Sequence, residues 1–361
     1  MKLSDVCEIN PKAQILDDNV KVSFIAMPDV SEDGKINVDI IRSYCDVKKG
    51  FTSFIEGDVI FAKITPCMEN GKGALATGLC NGIGFGSTEF HVLRPDSSKV
   101  DGKWIYYLTA WPHFRKDAEK NMTGSAGQKR VPKTFLENYD LNVPPLDIQQ
   151  RQIKVLDQVK SIIDSRKQQI SQFDELVKAR FVEMFGDYHT NSKGFETHKG
   201  NELFRFSSGK FLPEEKRLES GIPVYGGNGI AWYTDTPLIN YPTIIIGRVG
   251  AQCGNIHTVT EPVWITDNAI YIKEKKTEKF TLEFLSEMMR IMDFYQYADF
   301  SGQPKITQKP LETIEYLTPP IAMQEVFTEF CAQVDKSKET LKKSLAETQL
   351  LFDNLMQEYF G

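Results

Sequence analysis

The sequence predicts a mixed α/β protein of the α+β kind, with two similar β-rich units, each followed by a long helix. Three observations carry this reading. First, the chain repeats itself. An offset of 175 residues carries Gly127-Gln128 onto Gly302-Gln303, Leu136-Glu137 onto Leu311-Glu312 and Pro144-Pro145 onto Pro319-Pro320. The same offset carries Gln149 onto Gln324, Gln158-Val159 onto Gln333-Val334 and Phe185-Gly186 onto Phe360-Gly361. Second, apolar and β-branched residues cluster as strand-like runs in Asp58–Ile64, Glu89–Leu93, Thr243–Val249 and Ala269–Lys273. Third, two long tails keep a helical period free of glycine and proline from end to end.

These observations divide the chain into 1–143, a first globular unit; 144–186, a central helix; 187–318, a second unit; and 319–361, a C-terminal helix. In the units the repeat is looser. GDVIFAKI (57–64) resembles PTIIIGRV (242–249), and STEFHVL (87–93) resembles TDNAIYI (266–272), at slightly different offsets. Helical patterns run over Trp104–Lys120 and Leu282–Tyr297. Each tail begins at a Pro-Pro pair, and proline is tolerated in a first helical turn, where its missing N–H would be unpaired anyway.

In the first tail Leu156, Val159, Ile163, Arg166, Ile170, Phe173, Val177, Arg180 and Met184 step by three and four throughout. In the second, Cys331, Val334, Lys338, Leu341, Leu345, Thr348, Phe352, Leu355 and Tyr359 do the same. A sustained 3.5-residue period specifies a coiled-coil seam. Its apolar members are Val159, Ile163, Ile170, Phe173 and Val177 on one helix and Val334, Leu341, Leu345, Phe352 and Leu355 on the other. A pseudo-two-fold relation between the repeats makes the helices antiparallel. A helix of about 37 residues would span roughly 55 Å at 1.5 Å per residue, longer than one DNA turn of about 34 Å.

Composition bounds the function. The 361 residues are 41% hydrophobic and 25% charged, the profile of an ordinary globular protein. No apolar run reaches the ~18 residues of a membrane span, and MKLSDVCEIN lacks a secretory core, so a cytoplasmic location is expected. The six cysteines have neither CxxC nor disulfide-framework spacing and read as reduced thiols. The phosphate loop GxxxxGK[ST] fails at Pro66 and Gly73, and no GxGxxG follows a strand. NVPP (142–145) and TPPI (318–321) lack the aromatic that an adenine methyltransferase motif places after its prolines. The acids and lysines around Asp29, Asp33 and Lys35, and around Asp96, Asp101 and Lys103, are spaced like turns rather than a nuclease metal site. The five histidines lack ligand spacing. No catalytic, cofactor or metal site is expected on this chain.

What remains are polar, glycine-rich loops at matching places: ITPCMENGKG (64–73) and NMTGSAGQKR (121–130), then VYGGNGIAWY (224–233), GRVGAQCGN (247–255) and ADFSGQPK (298–305). Asn and Gln pair with adenine edges, and Arg and Lys with guanine or phosphate, so this mix suits readout of a DNA groove. With these loops, GDVIFAKITPCMENGKGA (57–74), GQKRVPKTFLENYDLNVPPLDIQQRQI (127–153), IPVYGGNGIAWY (222–233) and GQPKITQKPLETIEYLTPPIAMQEVF (302–327), the whole chain resembles a type I restriction-modification specificity subunit.

The resemblance implies two target-recognition domains, each reading one half of a split, double-stranded DNA sequence, with the helices fixing the unread spacer. It implies a non-catalytic chain that assembles with two DNA adenine methyltransferase subunits and with ATP-dependent restriction subunits. S-adenosylmethionine, ATP and Mg2+ would be bound by those partners. The DNA contacts expected in the first domain are Lys63, Thr65, Asn70, Lys72, Ser125, Gln128, Lys129 and Arg130; in the second, Lys210, Tyr225, Asn228, Arg248, Gln303 and Lys305. The alternative is a stand-alone DNA-binding regulatory protein.

The net charge of −6 splits into −1, +1, −3 and −3 over the four segments. Neither domain would hold DNA by bulk charge, so its basic groups must act locally and its partners must supply affinity.

Overall fold

The computed structural model describes residues 1–125 and 127–361, which divide into two compact units. Unit 1 comprises Met1–Arg166 with Ser344–Gly361, and unit 2 comprises Lys167–Lys343.

Unit 1 opens with strands β1 (Cys7–Ile9), β2 (Lys21–Ile25) and β3 (Ile41–Ser43), then a short helix, α1 (Tyr44–Val47). Strands β4 (Thr52–Ile55), β5 (Val59–Ala62), β6 (Gly73–Leu75), β7 (Ile83–Gly86) and β8 (Phe90–Pro95) follow. Helices α2 (Gly102–Ala110), α3 (Pro112–Lys120) and α4 (Lys133–Asn138) lead to α5 (Leu146–Phe185). Unit 2 continues with β9 (Thr197–Lys199), α6 (Gly200–Leu203), β10 (Phe204–Ser208), β11 (Ile222–Gly226), β12 (Gly229–Thr234) and β13 (Thr243–Gly247). Next come β14 (Ile256–Val259), β15 (Trp264–Ile265), β16 (Ala269–Lys275), α7 (Leu282–Ile291), α8 (Gln308–Thr313), β17 (Glu315–Leu317) and α9 (Ile321–Phe360).

Each unit is built on an antiparallel four-stranded sheet of the same order, β1-β8-β5-β6 in unit 1 and β10-β16-β13-β14 in unit 2. The apolar runs mark the inner strands because those strands are covered on both faces. Val59 and Phe61 of β5 enter the core beneath the helices, while Ile60 and Ala62 enter a second core on the opposite face. Ile244 and Ile246 of β13 are divided from Ile245 in the same way. The second sheets differ. Unit 1 has the order β3-β2-β7-β4 and unit 2 has β12-β11-β15, each with one parallel pair, β2 with β7 and β11 with β15.

The structure trims two expected helices. The run over Trp104–Lys120 is two helices, because Pro112 forces Trp111 into an extended conformation (ψ 128°). The run over Leu282–Tyr297 leaves the α-helix after Ile291, where Asp293 takes a left-handed φ of 46°, and resumes as one 3-10 turn. The Pro-Pro pairs also sit one step earlier than expected, just outside the helices. Pro145 accepts the Ile148 and Gln149 N–H groups, and Pro320 those of Met323 and Gln324, so each second proline supplies the capping carbonyl.

The unit boundary falls within both long helices, so each unit contains a segment of each. In unit 2 the segments run antiparallel: Asp174 accepts from Lys338 at 2.6 Å, Arg180 lies over the Phe330 ring, and Phe185 meets Phe327. In unit 1 Arg166 donates to the Ser344 carbonyl at 2.7 Å, and Ile153 and Leu156 share a core with Met356. Every position of the two stepped series is buried or half-buried. Its polar members are partnered: besides Arg166 and Lys338, Thr348 donates to the Ser344 carbonyl at 2.8 Å. Among the described residues, no helix is long and apolar enough to cross a membrane and no cluster of His, Cys, Asp or Glu could hold a metal ion.

Candidate nucleic-acid interface

In unit 1 the chain leaves β5 at Lys63, whose N–H donates to the Glu89 carbonyl at 2.9 Å and whose carbonyl accepts from Val131 at 2.8 Å. Ile64 then bridges Arg130, the Thr65 N–H donates to the Lys129 carbonyl at 3.0 Å, and Arg130 also bridges Thr123. Loops 64–73 and 121–130, separate in sequence, therefore lie side by side beyond the end of β5; Ala126 of the second loop lies outside the described residues.

Three buried or half-buried groups fix this edge. The Arg130 guanidinium grips Glu89 in a two-pronged pair, Nε to Oε2 at 2.9 Å and Nη2 to Oε1 at 2.8 Å, which holds the Glu89 carboxyl below its usual range. His91 is buried beneath the loop. Its Nε2 donates to the Val131 carbonyl at 2.8 Å and its Nδ1 faces Asn10, and burial keeps the ring neutral by pushing its pKa down. Arg115, 7% exposed, donates to the Met68 carbonyl at 2.7 Å and supports loop 64–73 from below; burial lowers its pKa to about 10.

The expected residues separate by reach. Asn70, Ser125, Gln128 and Lys129 are exposed on this edge. Lys63 is half-buried, the Thr65 hydroxyl donates to Glu69 at 2.7 Å, Lys72 donates to the Met27 carbonyl at 2.9 Å, and Arg130 is tied to Glu89.

Unit 2 builds the same edge from different residues. The Arg248 N–H donates to the Asn268 carbonyl and the Arg248 carbonyl accepts from Ile306, both at 2.9 Å. Val249 bridges Lys305, which in turn bridges Asp299. Arg248 therefore stands where Lys63 stands, and Lys305 where Arg130 stands. Gln303 and Lys305 are exposed.

A third segment joins this cluster. The turn between β11 and β12 carries exposed Asn228, and Gly227 passes so close to Gly247 that a Cβ at Gly247 would lie 2.9 Å from the Gly227 carbonyl. His257 faces the same carbonyl at 3.3 Å, and its ring lies 5.9 Å from that of half-buried Tyr225. Lys210 is held by its backbone to β15, the strand paired with β11, through the Ile265 carbonyl and the Trp264 indole N–H. Tyr295 and Phe300, an exposed edge-to-face aromatic pair 5.2 Å apart, were not among the expected residues.

Two copies of one edge, each furnished with amide and basic side chains, are what a sequence-reading protein with two sites would need. Over residues 1–173 and 192–349 the sequence matches the family described as type I restriction modification DNA specificity domain. The chain belongs to this family.

Among its relatives is the specificity subunit of the type I restriction enzyme EcoAI from Escherichia coli, 47% identical over 169 residues. That match covers 46% of this chain and 28% of the relative, so this chain spans well under two thirds of that relative's length. The EcoprrI specificity subunit, also from Escherichia coli, is 25% identical over 357 residues, 91% of this chain and 83% of the relative. Two solved structures share the fold. The type I restriction-modification S subunit from M. genitalium has a TM-score of 0.58 at 18% identity, over 100% of this chain and 95% of that one. A chain from a study of complex assembly in the type I R-M system has a TM-score of 0.61 at 16% identity, over 99% and 96%.

Glu89, His91 and Arg115 shape the first edge but are absent from the residues that the sequence nominated. The loose match of STEFHVL to TDNAIYI contained a signal for Glu89, because it sets Glu89 opposite Asn268, the carbonyl partner of Arg248. Nothing comparable pointed to Arg115, whose partner Met68 lies 47 residues away.

Proposed function

We propose that this chain is the DNA-recognition subunit of a type I restriction-modification complex. Each unit reads one half of a bipartite target, and the helices set the unread spacer between the halves. One observation carries the reading: the paired loop edges, in which Lys63 and Arg248, Gln128 and Gln303, and Arg130 and Lys305 hold equivalent places around equivalent sheets. Exposed Asn70, Gln128, Asn228 and Gln303 are the candidates for base edges. Lys129 and Lys305 are suited to phosphates, and Ser125, Tyr225 and Lys210 flank them. Lys63, Thr65, Lys72, Arg130 and Arg248 shape the edge and supply charge at its rim.

In this reading the two helices form one antiparallel coiled coil, with the stepped series as its seam. Two adenine methyltransferase subunits dock on the helices and the adjoining flanks, and restriction subunits join them for cleavage. The chain itself is non-catalytic and works in the cytoplasm, while its partners bind S-adenosylmethionine, ATP and Mg2+. With a net charge of −6, the chain alone binds DNA weakly, and affinity rises when the methyltransferase is added. The relatives named as specificity subunits support this role.

The test is to sequence methylated adenines in cells that express this chain with its methyltransferase. A single split motif with a fixed spacer is the expected result. A continuous motif, or methylation by the purified chain alone, would overturn the reading. Tight, salt-insensitive binding by the chain alone would instead favour a stand-alone DNA-binding regulator.

A further inference from the structure

One buried side chain in each unit is tied to its surroundings in a way that recognition does not require. Gln149 and Gln324 lie in the first turns of α5 and α9 and are wholly buried. The Gln149 Oε1 accepts the Asp101 N–H at 2.8 Å, and its Nε2 donates to the carbonyls of Lys99 at 3.0 Å and Pro144 at 2.7 Å. The Gln324 Oε1 accepts the Thr281 N–H at 3.0 Å, and its Nε2 donates to the carbonyls of Lys279 and Pro319 at 2.7 and 2.8 Å.

Every partner is backbone, and every partner corresponds between the units. Asp101 and Thr281 are the N-caps of α2 and α7, Lys99 and Lys279 precede them by two residues, and Pro144 and Pro319 open the Pro-Pro pairs. One amide thus joins three stretches of main chain: the entry to the domain helix, the Pro-Pro turn and the first turn of the long helix. The amide itself is wholly buried, so each of its bonds is costly to leave unmade. An apolar residue would fill the space but could not fix the angle at which the long helix leaves the domain. Only a side chain with one acceptor and two donors satisfies all three partners.

We propose that Gln149 and Gln324 are positioning residues that lock each long helix to its own recognition domain, so that the DNA spacer is held to one length. This inference rests on the reading of the helices as a spacer. Neither residue touches DNA in it. A change at either would leave both half-sites as they are and loosen only the distance between them.

The test uses Gln149→Ala and Gln324→Ala separately in the full chain with its methyltransferase, with methylated adenines mapped in cells and thermal melting of each purified complex. Each variant is expected to keep both half-sites and to add sites whose spacer differs by one base pair. Each alanine removes three hydrogen bonds, and losing even one shifts an equilibrium by roughly tenfold, so discrimination between spacers should fall by at least about that factor. An unchanged single spacer with a lower melting temperature would overturn the proposal by reducing the amide to a fold anchor, and altered half-sites would overturn it by placing the residue in recognition. If either alanine variant fails to fold, Gln149→Asn and Gln324→Asn, which keep the amide but withdraw it by one methylene, decide by the same outcomes.

A control separates this proposal from the reading beneath it. Inserting four residues near Ser165 and near Thr340 together lengthens a spacer helix by about 6 Å and should add about two base pairs. If the inserted chain keeps the original spacer, the helices are not the ruler and the spacer reading itself fails.

Discussion

The frames of the two units match in strand order and in the bonds that start their long helices, whereas their second sheets and loop edges do not. Leu136 and Leu311 are both fully buried in equivalent short helices, and Gln149 and Gln324 make the same three bonds. By contrast, unit 1 has a four-stranded second sheet and supports its loop on the buried guanidinium of Arg115, whereas unit 2 has three strands and brings in the β11–β12 turn. Buried His91 on β8 is replaced by Ile270 at the equivalent place on β16: His91 pairs with Phe61 and Ile270 with Ile246. The difference teaches which parts are under which demand. The frame must hold two edges in the same geometry, and the edges must differ if the two half-sites differ.

The largest effect tests the equivalence of the frames. Trp104 on α2 and Phe284 on α7 hold equivalent buried places, Trp104 against Phe360 and Phe284 against Phe185 and Phe327. Truncating either to alanine should cost about 3–5 kcal/mol in urea unfolding. A loss near zero at one position and full at the other would break the comparison.

Arg115 tests the divergence, because among the described residues unit 2 has no buried arginine beneath its edge. Arg115→Met removes the charged one of two donors to the Met68 carbonyl, leaving the Gly71 N–H at 3.1 Å, and should cost about 1–3 kcal/mol. In methylation mapping it should relax the first half-site while leaving the second intact. Equal relaxation of both would show that the edges are not independent.

A smaller effect is pH-dependent. Burial keeps the folded His91 pKa below the ordinary value of about 6.5, so between the two values the unfolded chain binds more protons than the folded one. His91 therefore contributes stability above about pH 6.5 that is lost as pH falls through that window towards the folded value. Half-buried His257 in unit 2 shifts in the same direction. His91→Ile, which installs the residue of the other unit, should flatten the fall in unfolding free energy as pH drops below about 6.5. An unchanged slope would assign the pH dependence elsewhere.

Much of the frame was legible because it repeats or alternates. The single offset of 175 found Arg130 with Lys305, Leu136 with Leu311 and Gln149 with Gln324. The apolar runs over Asp58–Ile64 and Thr243–Val249 announced the strands that the structure shows as β5 and β13. The second sheets were not legible. Strand β3 has only three residues, mostly exposed, and β2 pairs in parallel with β7, which lies about 60 residues further along the chain, so neither periodicity nor neighbourhood reveals the pairing. The loops were nominated by composition, which supplies the right chemistry but not the reach. Lys72 and Arg130 read as free cations, yet the structure ties them to Met27 and Glu89, partners 45 and 41 residues away.

The central claim, that each unit reads its own half of one target, is tested most directly by mapping methylated adenines for Gln128→Ala and Gln303→Ala in parallel with the unaltered chain. The account predicts relaxed specificity at one base of one half-site for the first and of the other half-site for the second, each costing about 1–3 kcal/mol of discrimination, with the spacer unchanged. Relaxation of the same half-site by both substitutions would contradict it.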